Sequence, residues 1–239
     1  MPALFIITGV SRGIGAALAK AAVEAGHAVV GLGRSPAAHG LHLAVDLCCP
    51  QSAAERLEEA LSLPQARQAE RIALINNAAT LEPVGARFDA EAVQAHFAVN
   101  LLSPILLSRR FVDLMRERPQ PARIIQISSG AADSPHRGWS LYCAGKAGLE
   151  QFSRCLALEQ ADTARPVDVL CLRPGVVDTP MQAQIRDRSR GDFPDVQRFR
   201  ELAQSGQLAA PAEVAEALLA AALSARRYAG ATLRRHQLP

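Results

Sequence analysis

The sequence predicts an α/β protein, a Rossmann-type doubly wound parallel sheet with helices on both faces. Three observations predict it. Short apolar runs alternate with longer amphipathic stretches along the chain. Most of those runs are apolar on both faces, as strands buried in the middle of a parallel sheet must be. The first run leads into a glycine cluster, Thr8-Gly9-Val10-Ser11-Arg12-Gly13-Ile14-Gly15, that opens a helical pattern. With 239 residues, 49% of them hydrophobic, the chain can build one domain with a substantial core, and no linker divides it.

The elements follow in order. Ala3–Thr8 is a strand because Leu4, Phe5, Ile6 and Ile7 leave no polar face. A helix over Ile14–Ala25 follows the glycines. Ala28–Gly33 and Leu41–Val45 are the next apolar strands, and Ser52–Leu61 is an amphipathic helix. Ile72–Ile75 is a strand, Asp89–Arg118 one long helix, Arg123–Ser128 a strand, Leu141–Ala161 a second long helix and Val167–Leu172 a strand. Pro211–Arg226 opens on Pro211, Ala212 and Glu213 and is rich in Ala and Leu, a helix with a proline start. Gly230–Leu233 adds an edge strand. Only Asp178 to Ala210 breaks the alternation: it is polar, rich in Arg and weakly periodic. It follows a strand's carboxyl end, where open α/β sheets bind ligands, and is read as a partly helical substrate lid. Its Arg186, Arg188, Arg190, Arg198 and Arg200 are nearly balanced by Asp187, Asp192, Asp195 and Glu201, which favours a solvated surface over an anion site.

Composition narrows the function. A net charge of +3 and ten aromatics give no basic, aromatic surface for nucleic acid. Cys48, Cys49, Cys143, Cys155 and Cys171 have no metal-ligand spacing, so no metal is expected and the thiols belong in a reducing compartment. The N-terminal residues have no basic region, and their apolar run is too short for a signal or a membrane span, so a cytoplasmic protein is expected.

Three glycines between a strand and a helix permit a tight turn and close approach of backbone to a pyrophosphate, with the helix N-terminus facing the phosphates. The second strand distinguishes the dinucleotides. An NAD site places a carboxylate at its end; here it reads Gly31-Leu32-Gly33-Arg34-Ser35. Arg34, with Arg12 from the glycine loop, suits the 2′-phosphate of NADP(H). Asp46, after the third strand, suits an adenine amino group or a plain turn.

Ser129 stands thirteen positions before Tyr142, and Tyr142 four before Lys146. Residues i and i+4 share a helix face, and an ammonium beside a phenol favours the phenolate, lowering its pKa from about 10. Such a tyrosine exchanges protons near neutral pH, and a serine at a strand end can hold a carbonyl oxygen against it.

Together these residues resemble the short-chain dehydrogenase/reductase family over nearly the whole chain: the glycine pattern, Asn76-Asn77-Ala78-Ala79, Asn100, Ser129, Tyr142 with Lys146, and Pro174-Gly175-Val176-Val177-Asp178-Thr179. The resemblance implies Tyr142 as the acid that protonates a carbonyl oxygen and Ser129 as the group that polarises it. Lys146 would hold the nicotinamide ribose and depress the Tyr142 pKa, and Asn100 would organise a water linking Lys146 to solvent. Ser128 competes with Ser129, and the family's interval selects Ser129. The implied cofactor set is Gly9, Ser11, Arg12, Gly13, Ile14, Gly15, Arg34, Asp46, Leu47, Asn77, Ala78, Tyr142, Lys146, Pro174, Gly175, Val177 and Thr179, with Asn76 tying strands together. The family usually has Gly where this chain has Ala79.

Gly138-Trp139-Ser140-Leu141-Tyr142-Cys143-Ala144-Gly145-Lys146-Ala147 and Asp178-Thr179-Pro180-Met181-Gln182 are similar to the branch of sepiapterin and benzil-type reductases. There Ser129, Trp139, Tyr142, Cys143, Met181 and Gln182 would wall the substrate. Pterin-reducing members carry an acid near the C-terminus, and Leu233-Arg234-Arg235-His236-Gln237-Leu238-Pro239 has none. The expectation is an NADPH-dependent reductase of a small-molecule ketone or α-diketone. Its alternatives are a pterin ketone or 3-oxoacyl reductase, and a non-catalytic NADPH sensor. The resemblance also implies a homodimer or homotetramer built on the two long helices, and neither nucleic acid nor membrane is an expected partner.

Overall fold

The computed structural model describes residues 2–238. Strands β1 (Ala3–Thr8), β2 (Ala28–Gly33), β3 (Leu41–Ala44), β4 (Arg71–Asn76), β5 (Ala122–Ile127), β6 (Asp168–Arg173) and β7 (Ala231–Arg234) form one sheet in the order β3-β2-β1-β4-β5-β6-β7. Every pairing is parallel. This is the expected Rossmann-type α/β sheet. The strand order reverses between β1 and β4, and in such sheets the crevice for a ligand opens beyond the carboxyl ends at that reversal.

The period of two along a strand builds both faces. In β1, Leu4 and Ile6 pack with Leu57, Leu61, Phe111 and Leu156, whereas Phe5 and Ile7 pack with Leu18 and Leu218. The first layer comes from helices α2 (Pro50–Ser62), α5 (Ser103–Met115) and α6 (Ser140–Ala161), the second from α1 (Gly13–Glu24) and α9 (Pro211–Leu223). Each buried Leu, Ile or Phe contributes about 1.5–3 kcal/mol.

Strand bounds agree with the expected ones to within one residue. The helices differ more. The expected long helix Asp89–Arg118 is three pieces: α4 (Ala90–Phe97), a π turn (Ala98–Leu102) and α5. Pro104 sits in the first turn of α5 and has no N–H for the Asn100 carbonyl, so the α ladder breaks there. The Ser103 N–H reaches back five residues to the Ala98 carbonyl instead. Although Ala90–Met115 is long and apolar enough to cross a membrane by length and composition alone, Leu107, Phe111 and Val112 pack on the sheet. Helix α9 stops at Leu223, short of Arg226, and the one-turn helix α3 (Pro64–Gln68) was not expected. Segment 178–210 contains α7 (Pro180–Arg186) and α8 (Val196–Gln204).

Candidate active site

A cleft of about 820 Å³ runs past the carboxyl ends of the strands, lined at one end by the glycine loop and at the other by residues from α7 and α8. The loop geometry explains its glycines. Gly9 (φ +73°) and Gly13 (φ +59°) take left-handed backbone that side chains resist. Gly15 is a close approach: a Cβ there would stand 2.2 Å from the Gly9 carbonyl oxygen. Asn77 holds the loop from behind, its Nδ2 donating to the carbonyls of Thr8 (2.9 Å) and Gly9 (3.0 Å). The Thr8 hydroxyl accepts from the N–H groups of Asn77 and Ala78, both at 3.0 Å.

Helix α1 begins at Arg12 with no side-chain cap and no acid in its first turn. A helix start is the positive end of the dipole, so a cation there is unfavourable unless an anion joins it. Arg12 and Arg34 are exposed in the cleft wall, and among the described residues neither pairs with a carboxylate. Uncapped N–H groups with two unpaired arginines fit a phosphate-rich dinucleotide. Asp46 uses one carboxylate oxygen in a turn with the Cys48 N–H, at 2.9 Å, and lines the cleft beside Leu47.

At the centre, β5 ends and Ser129 caps a one-turn 3-10 helix (Gly130–Ala132), its hydroxyl accepting from the Ala131 N–H at 3.2 Å. Tyr142 and Lys146 share the buried face of α6. Lys146 Nζ donates to the Ile127 carbonyl at 2.7 Å and lies 5.7 Å from the Tyr142 ring centre. The expected lowering of the tyrosine is not what the structure holds. Burial pushes the Tyr142 phenol up to about 12, although its hydrogen bond with Ser129 works the other way. Burial likewise brings Lys146 down to about 8, which weakens it as a permanent cation. At Tyr142, desolvation outweighs the lowering effect of Ser129.

Ser128 is committed elsewhere: its hydroxyl donates to Glu150 at 2.6 Å, and Glu150 takes two hydrogen bonds from Arg173, at 2.7 Å each. Ser129 is the serine that lowers the Tyr142 phenol against the effect of burial, and it lines the cleft beside it. Asn100 is fully buried in the π turn. Its Oδ1 accepts from the Thr80 N–H (3.1 Å), and its Nδ2 donates to the Thr80 carbonyl (2.9 Å) and to His96 Nε2 (3.0 Å). The side chain therefore fixes the Thr80 backbone.

The far end is aromatic. Trp139 stacks on Phe193 at 4.4 Å and meets Phe199 at 5.5 Å and Tyr142 at 5.7 Å. Met181 and Gln182 line the cleft from α7, where Gln182 Nε2 reaches the Phe199 carbonyl at 3.4 Å. Segment 178–210 is tied down by His136 to Asp195 (2.9 Å), by Arg188 to Glu82, and by the Gly138 backbone against the Asp192 carbonyl.

Most of the expected cofactor residues line this cleft: Gly9, Ser11, Arg12, Gly13, Ile14, Arg34, Asp46, Leu47, Asn77, Ala78, Tyr142, Lys146, Pro174, Gly175, Val177 and Thr179. Gly15 does not; it shapes the loop. Asn100 is likewise behind the wall. Cys143, expected in the substrate wall, is turned away. One position past Tyr142 the helix rotates about 100°, and the Cys143 thiol points to the Ser134 carbonyl behind the aromatic cluster. Asn76 bonds Ser108 of α5 at 3.2 Å rather than joining strands. Sequence reasoning missed Thr80, Leu81, His136, Ile185 and Phe199 on the wall, Phe193 behind it, and the buried His96. Their only sequence signal is a scatter of apolar and His residues, because tertiary packing brings them together.

The family model for short chain dehydrogenase matches residues 3–190. This chain belongs to the short-chain dehydrogenase family. With the family come oxidoreductase chemistry on C=O and CH–OH groups and a nicotinamide cofactor, which the uncapped helix start and the glycine loop fit. The chain is 39% identical over 222 residues to benzil reductase ((S)-benzoin forming) of Bacillus subtilis (strain 168), covering 90% of this chain and 91% of that protein. It is 31% identical over 230 residues to sepiapterin reductase of Rattus norvegicus, covering 86% of each. The crystal structure of the KRED1-Pglu enzyme superposes with a TM-score of 0.83 at 30% identity, covering 97% of this chain and all of that one.

Proposed function

We propose that this chain is an NADPH-dependent carbonyl reductase of α-diketones and aryl ketones, with Tyr142 as proton donor. One observation carries the reading. A single cleft joins an uncapped, arginine-flanked helix start to Ser129 and the buried Tyr142 beneath Trp139 and Phe199. Arg12 and Arg34 would hold the 2′-phosphate, the α1 start the pyrophosphate, and Lys146, Pro174, Gly175, Val177 and Thr179 the nicotinamide half. When bound, that cofactor supplies a hydride to the carbonyl carbon.

The chain's own residues do the rest. Ser129 donates to the substrate's carbonyl oxygen and holds it at the Tyr142 hydroxyl. Tyr142 gives that oxygen its proton, and a phenol raised to about 12 still carries its proton throughout the neutral range. Lys146, and beyond it a water on the Asn100 carbonyl, returns the proton. Segment 178–210 closes over the substrate as a lid on a single cofactor-binding domain and keeps water from the reacting carbon. The aromatic wall suits a flat aryl group, which the similarity to benzil reductases supports. A cytoplasmic homodimer or homotetramer completes the proposal.

A panel with NADPH and NADH against benzil, sepiapterin, a 3-oxoacyl thioester and simple ketones tests it. The reading expects benzil with NADPH to lead; preference for NADH, or no diketone turnover, contradicts it.

A further inference from the structure

We propose that His96, in its neutral Nδ1–H form, is a positioning residue that clamps the wall of the cleft to Asn100. The proposal rests on the reading of Asn100 and Tyr142 as working residues. His96 is 1% exposed on α4, one turn before Asn100. Its Nδ1 lies 2.7 Å from the Glu82 carbonyl oxygen, and its Nε2 lies 3.0 Å from Asn100 Nδ2.

Those partners dictate the proton. A carbonyl can only accept, so Nδ1 carries the hydrogen, and Nε2 is left as acceptor. The Asn100 orientation is fixed independently, because the Thr80 N–H needs Oδ1 and the Thr80 carbonyl needs Nδ2. One ring therefore spans Glu82 and Asn100, while Asn100 grips Thr80, and Thr80, Leu81 and Glu82 all line the cleft. The His96 ring also stands edge-on to Tyr142 at 6.4 Å, and Gly145 of α6 packs near Nε2, where a Cβ would lie 3.9 Å away.

The groups facing the imidazole are Tyr142, Lys146 and the Leu141 carbonyl from α6, the Glu82 carbonyl from the 77–83 loop, Phe97 from its own helix and Asn100 from the π turn. The Glu82 carboxylate is turned away to Arg188. Burial, and the Lys146 charge after the Leu141 carbonyl's opposing effect, keep the ring below its ordinary pKa. Protonation would place an N–H against the Asn100 amide N–H and open the clamp.

The test compares His96→Phe, His96→Gln and His96→Asn in benzil reduction with NADPH. Gln can present an oxygen near the Nε2 position to Asn100; Asn is too short for it, and Phe offers no polar atom. Phe and Asn should lower kcat at least tenfold with KM for NADPH within twofold, and Gln should return kcat to within threefold of the unaltered chain. The unaltered chain should also lose kcat reversibly on the acid side of pH 6.5, a limb absent in His96→Gln. An undiminished His96→Phe, or a Gln variant as impaired as Asn, overturns the clamp. If His96→Phe does not fold, the Gln-to-Asn difference and the acid limb decide. A Tyr142→Phe control that is dead beside an undiminished His96→Phe sinks the clamp alone; no turnover by the unaltered chain sinks the reductase reading and the clamp with it.

Discussion

Tyr142 shows how little of a site's electrostatics is local. The i,i+4 relation to Lys146 is visible in the sequence because it depends only on helix geometry. The direction of the pKa is not, because it depends on how completely the surrounding helices remove water. The sign has a consequence. An acid held to about 12 is ready to donate at pH 7 and unready to accept, so alcohol oxidation should rise with pH toward 10, whereas ketone reduction should fall above pH 8 only as Lys146, brought down to about 8, stops returning the proton. Rates measured in both directions check this; an oxidation rate independent of pH would contradict it. Arg34 carries the second prediction. On the NADPH proposal, Arg34→Glu would remove a charge-assisted phosphate bond of about 1.5–3 kcal/mol and add repulsion. KM for NADPH should rise at least tenfold with little change for NADH. His96 was illegible for a plain reason: a lone histidine in an alanine-rich helix says nothing until Glu82 and Thr80 are brought to it.

The elements were read well where one strand or one turn decides them. β1 declares itself by four consecutive apolar residues, and the α1 start by its glycines. The interruption of Asp89–Arg118 was less visible, though Pro104 signals it, because proline is also tolerated in a first turn. The attachment of segment 178–210 was hidden, since it depends on Asp195 meeting His136 and on Gly138 lying under Asp192. Gly138 has φ +82°, and a Cβ there would stand 2.4 Å from the Asp192 carbonyl oxygen. Gly138→Ala should therefore destabilise by about 1–3 kcal/mol. It should also raise KM for the diketone several-fold by displacing α8, with NADPH binding unchanged. Thermal unfolding and steady-state kinetics measure the two effects separately.

Across the molecule, the doubly wound parallel sheet was legible in the βα alternation, but the far edge is pinned by a buried ion pair that no spacing announces. Arg123 Nε meets Asp168 at 2.9 Å, Asp168 accepts from the N–H of Tyr228 at 2.9 Å, and Arg123 reaches the Ala221 and Arg226 carbonyls. The pair joins β5 and β6 to the end of α9 and the turn into β7. Asp168→Ala leaves a buried guanidinium without its partner and should cost about 3–5 kcal/mol. The corresponding fall in Tm should come without change in substrate preference in the fraction that remains folded.

At the centre of the molecule, an uncapped helix start shares a cleft with a protonated phenol. The most direct measurement is NADPH oxidation with benzil by the unaltered chain and by Tyr142→Phe, with NADPH binding followed separately by fluorescence. Removing a general acid should lower kcat by about 10²–10⁴-fold while NADPH binds as before. Turnover by Tyr142→Phe at the unaltered rate would contradict the account.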